Sequence, residues 1–107
     1  MSPEDAVTLG RQFLQDYFLR DWRFVLHFPK RKLGRCDYRT RTISLSVDHV
    51  RLDTFEQIRD TILHEVAHAL AGPGTGHGPR WVEQCLVVGA KPERCKQSSE
   101  LAPRKLK

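Results

Sequence analysis

From Pro3 to Leu19, apolar residues recur at Val7, Leu9, Phe13, Leu14, Tyr17 and Phe18. That spacing lays one broad stripe along an α-helix. Ser2 stands where a cap is needed, Pro3 falls in the first turn, and Glu4 and Asp5 meet the positive end of the helix dipole. The period then changes. Trp22, Phe24, Leu26 and Phe28 alternate with Arg23, Val25 and His27, the two-residue repeat of a strand, and Pro29 ends it. A second extended stretch starts at Gly34 and passes through Cys36 and Tyr38, and a third alternates from Thr42 to Val47. Three short strands in succession predict a small antiparallel sheet, with the basic residues of 30–41 on its turns and exposed face.

Helical spacing returns after Asp53. Asp53-Thr54-Phe55-Glu56 reads as a capping box, with Asp53 the cap and Glu56 reaching back to it. Phe55, Ile58, Ile62, Leu63, Val66, Ala67 and Leu70 then form an apolar face, and Gly72-Pro73-Gly74 must stop the helix at Ala71. A shorter helix starts near Pro79 and runs through Trp81, Val82, Leu86 and Val87 to Gly89. There is no internal repeat. The pattern predicts one α+β domain over residues 1–90, helices on a short three-stranded sheet, followed by a polar, basic, flexible tail over 91–107.

At 107 residues, 39% hydrophobic and 29% charged, the chain has room for one small globule, expected to be a monomer. No apolar run is long enough to cross a bilayer, and MSPEDAVTLG lacks the pattern of a secretion signal. The expected setting is therefore cytoplasmic (nucleoid-associated), or nuclear in a eukaryote, and not secreted. Cys36, Cys85 and Cys95 are odd in number and widely spaced, which fits reduced thiols better than disulfides or a Cys-based zinc site. Net charge is +5, unevenly spread. Lys30, Arg31, Lys32, Arg35, Arg39 and Arg41 face Asp37 alone within 29–41, and the tail is basic again, while 43–68 is acidic. Two basic patches of this kind attract phosphate backbones.

The densest chemistry lies in His64–Trp81, HEVAHALAGPGTGHGPRW. Four residues apart on a helix, His64 and His68 share one face and can reach one metal ion together. Glu65 then lies beside that ion, the H-E-x-x-H arrangement of two zinc-binding histidines and a general base. A tetrahedral catalytic site needs a third protein ligand and one position for water. His77 is the best candidate, because Gly72, Pro73, Gly74 and Gly76 allow the chain to reverse after the helix; Glu83 is the runner-up. A purely structural zinc site would close all four positions, favour cysteine and leave Glu65 without a purpose. The expected cofactor is one Zn2+ per chain. The expected chemistry is attack of an activated water on a peptide carbonyl, with Glu65 moving the proton.

Taken in order, WRFVLHF, KLGRCDYRTRTISLS, TILHEVAHAL and GHGPRW resemble the SprT-like zinc metalloprotease family, in particular its Spartan-related protease domains, from about Phe13 to Cys95. The resemblance implies a small zincin-like (minimal gluzincin) fold, with His64, His68 and His77 as zinc ligands and Glu65 as the catalytic residue. It also implies a protein substrate bound on or crosslinked to DNA, with single-stranded or junction DNA as partner and switch. Many members carry a cysteine-rich zinc ribbon after the protease domain. Only Cys95 stands near that place here, so DNA engagement is expected to fall to Lys30, Arg31, Lys32, Arg35, Arg39, Arg41 and the tail. Two other readings remain open: a DNA-binding module with a structural zinc, and a zinc peptidase with no nucleic-acid role.

Overall fold

A computed structural model describes residues 1–28 and 32–93. Lys30 and Arg31, Cys95 and the stretch 94–107 lie outside the described residues. In chain order the elements are helix α1 (Pro3–Asp16), strands β1 (Arg23–His27), β2 (Gly34–Asp37) and β3 (Thr42–Ser46), and helices α2 (Val47–Leu52), α3 (Phe55–Ala71) and α4 (Pro79–Val88). The α+β class and the three strands agree with the sequence pattern.

The sheet is mixed, not antiparallel. Its order is β1-β3-β2; β1 runs parallel to β3, with Phe24 opposite Ile43, and β2 runs antiparallel to β3, with Gly34 opposite Leu45. The hairpin from β2 to β3 is local and closes through Asp37, whose carboxylate accepts from the Arg39 and Thr40 amides at 2.9 and 3.3 Å. β1 pairs across the opposite edge of β3, a choice that alternation does not encode. As the central strand, β3 buries Ile43, Ser44, Leu45 and Ser46 in succession.

Three boundaries differ from the periodic reading. α1 ends at Asp16 rather than Leu19, because Phe18 turns to φ +62° and breaks the helical path. The alternation that reached Val47 stops one residue earlier, and 47–52 form the short helix α2. The cap of α3 is Thr54, whose hydroxyl accepts from the Gln57 amide at 3.2 Å while the Gln57 side chain accepts from Thr54 N–H at 2.9 Å. A cap of this kind contributes about 1 kcal/mol. Asp53 is engaged elsewhere. Its carboxylate lies 2.5 Å from Nδ1 of the fully buried His49, whose Nε2 lies 2.9 Å from the Thr61 hydroxyl.

α1 packs on β1, α3 on β2 and β3, and α4 on α3. Gly10 of α1 is where the Phe24 ring of β1 seats, since a Cβ there would come within 2.4 Å of it. Ile58, Ile62, Leu63 and Val66 of α3 are completely buried, each contributing roughly 1.5–3 kcal/mol relative to exposure. The helix that carries His64 and His68 is therefore held deep in the core.

Candidate metal centre

α3 is covered on nearly all sides, so its polar residues at 64–68 are buried with it: His64 is 4% exposed and Glu65 6%. Burial disfavours the charged form of a carboxyl, and it raises the Glu65 pKa to about 7 against an opposing pull from the Lys32 ammonium. Space for the Glu65 side chain depends on Gly34 in β2. A Cβ at Gly34 would lie 3.1 Å from Glu65 Cγ and 2.9 Å from Thr61 Cγ2.

After Ala71 the chain reverses. Gly72, Gly74 and Gly76 have φ of +93°, +83° and +53°, the region that side chains avoid, and the loop is tied by Thr75 Oγ donating to Gly72 O at 2.9 Å. The reversal returns His77 to the last turn of α3, with its Nε2 3.3 Å from His68 Nε2. Two ligands of a tetrahedral ion held at about 2.0–2.1 Å stand roughly 3.3–3.4 Å apart, so this pair has the spacing of two corners of a zinc site. Burial, then the neighbouring histidines, lower the His68 pKa to about 4, which keeps its ring neutral as a ligand must be.

His64 faces another way. Its Nε2–H donates to Lys91 O at 2.5 Å and lies 3.5 Å from Asp60 Oδ2, while Nδ1 is buried without a hydrogen-bond partner among the described residues. A buried ring nitrogen with an uncommitted lone pair is the chemistry a metal would satisfy. As arranged, no group of three or more His, Cys, Asp or Glu side chains among the described residues surrounds a common point suited to a metal. The structure thus brings His68 and His77 together and leaves His64 turned to the chain after α4. Lys91, assigned by sequence to the tail, is tied to α3, its amide also donating to Asp60 at 3.0 Å. Glu83 is exposed on α4.

The periodicity put several neighbours of the site on their elements without showing that they meet the histidine helix. Trp81, in the first turn of α4, is 1% exposed and touches all three histidine rings. Tyr38 O–H donates to the carbonyl of His68 at 2.6 Å and pins the hairpin to the end of α3. Cys36 lies on the same wall, its thiol pushed up to about 12 by burial and then by the Glu65 charge.

The basic residues divide. Arg35, Arg39 and Arg41 are exposed on β2 and its turn, but Arg41 is paired with Asp21. Lys32 is exposed at the surface, and its charge acts on Glu65 and His68. Among the described residues no helix is long and apolar enough to cross a membrane.

Comparison with known proteins adds two findings. The sequence matches the SprT-like family over residues 8–100. The fold is similar to the crystal structure of the metallopeptidase zymogen of Methanocaldococcus jannaschii, jannalysin, with a TM-score of 0.64, 18% identity, and coverage of 75% of this chain and 77% of that one. No curated protein matches.

Proposed function

The chain belongs to the SprT-like family, and from that premise we propose that it is a zinc-dependent endopeptidase in which Glu65 is the general base. The observation that carries this reading is the pairing of His68 and His77 at 3.3 Å across the glycine turn, one residue pair at metal-ligand spacing beside a buried glutamate. The metallopeptidase whose fold is similar supports it.

His64, His68 and His77 would hold one Zn2+, the buried Nδ1 of His64 being the ring nitrogen that has no hydrogen bond among the described residues. When bound, the ion supplies a lowered pKa for its water and polarisation of the peptide carbonyl. The chain's own work is proton transfer. Glu65 accepts a proton from the attacking water and returns it to the departing amine as the C–N bond breaks. The desolvated surroundings of Glu65 and the Gly34 backbone beside it keep bulk water from competing for that proton.

The substrate is proposed to be a protein bound on or crosslinked to DNA. Family membership and the exposed Arg35 and Arg39 support this, with Lys30, Arg31, Lys32 and Arg41 completing the proposed contact. The Arg41–Asp21 pair favours, as a second reading, a zinc peptidase with no nucleic-acid role. Cleavage of a DNA-binding protein, measured with and without single-stranded DNA across a salt series, separates the two. DNA stimulation that fades with salt and is lost in Arg35→Gln/Arg39→Gln supports the first. Arg41→Gln is expected to have the smaller effect, because Asp21 already balances its charge. Cleavage indifferent to DNA rejects the DNA role and leaves the peptidase.

A further inference from the structure

The proposed chemistry has no use for Trp81 of the HGPRW stretch, yet its ring lies against all three histidines. Its ring lies 5.4 Å from that of His68 and nearly parallel to it, 4.7 Å from His77 edge to face, and 5.5 Å from His64. Its Nε1–H donates to the His64 carbonyl at 3.2 Å. One indole from α4 therefore touches two rings of α3 and one of the glycine loop, and also reads the α3 backbone at the first histidine.

The three histidines need such a reference. His64 and His68 ride on a rigid helix, but His77 is exposed on a loop with three left-handed glycines. Ordering that loop at the moment of metal binding would cost conformational entropy. A flat, fully buried ring against which His77 already rests removes part of that cost in advance. Because α4 begins at Pro79, two residues after His77, Trp81 is also the first fixed point the chain reaches after the loop.

We propose that Trp81 is a positioning residue for the metal site: its indole, tied to the α3 backbone at His64, sets the placement of His68 and His77, and so the affinity of this chain for zinc. This rests on the zinc reading above and deepens it. A residue that only filled space would contribute to folding and leave metal affinity alone.

The test is zinc affinity, measured by competition with a chelating dye, in wild type, Trp81→Phe and Trp81→Leu, with melting in chelator recorded separately. Affinity should fall about 10–100-fold in Trp81→Leu, the usual consequence of losing an outer partner of a metal ligand. It should fall less in Trp81→Phe, which keeps an aromatic face but loses the bond to His64. With two tryptophans in the chain, Trp22→Phe leaves Trp81 as the only indole emitter, and its emission should change on zinc addition. Wild-type affinity in folded Trp81→Phe and Trp81→Leu overturns the proposal, and so does an emission indifferent to zinc. If Trp81→Leu does not fold, Trp81→Phe and the emission decide it. A wild-type chain that takes up no zinc is a different failure, since it removes the metal reading underneath.

Discussion

Glu65 is 6% exposed, and burial raises its pKa from 4.5 to about 7. Between those values the folded metal-free chain retains a proton that the unfolded chain has lost, so this residue's contribution to stability falls as pH rises through that window and is lowest above it. Glu65→Gln removes the loss. In chelator at pH 8 the variant should melt above wild type, and at pH 4 the two should melt together; equal melting at both would mean that burial does not burden the carboxylate. Residues that can be identified by local spacing were legible in the sequence: His64 and His68 at one helical turn, Glu65 between them. The partners of Trp81 and Tyr38, and the His49–Asp53–Thr61 cluster, were not. Periodicity assigns a residue to a face but does not name its partner on another element, and Trp81 meets His64 across 17 positions.

α3 and the glycine turn are the elements on which the site depends, and both were readable, because a capped amphipathic run and a cluster of glycines are local signals. α2 was not, since a helix of six residues is too short to show an apolar period of its own. The parallel pairing of β1 with β3 was also hidden, being a non-local choice between two edges. The displaced α3 cap has a physical reason, as Asp53 is drawn into the core by His49 and Thr54 takes its place. Gly34 joins the sheet to the site. Gly34→Ala would push a methyl to 2.9 Å from Thr61 Cγ2 and 3.1 Å from Glu65 Cγ, an overpacking that costs about 1–3 kcal/mol. Urea unfolding should show that loss together with a fall in kcat larger than any change in zinc affinity. Unchanged stability and kcat would mean that β2 does not confine Glu65.

Across the whole molecule, a 107-residue chain has a modest core, and a metal that binds only the folded state adds to its stability. With free zinc at 100 times its Kd the gain is about 2.7 kcal/mol, a rise in Tm on the order of 10 °C for a domain of this size. Calorimetry with zinc and with chelator checks this, and identical melting in both would argue against a metal held by the fold. At this scale the α+β architecture was legible from the order of periods, and the mixed sheet was not. On the proposed function, a zinc-bound site cleaves peptide bonds with Glu65 moving the proton. The most direct test is one assay of wild type and Glu65→Gln, each with bound zinc quantified, on the same protein substrate. About one zinc per chain in both and cleavage by wild type alone are expected. Equal cleavage by the two proteins, or cleavage by wild type that persists with no zinc bound, would contradict that function.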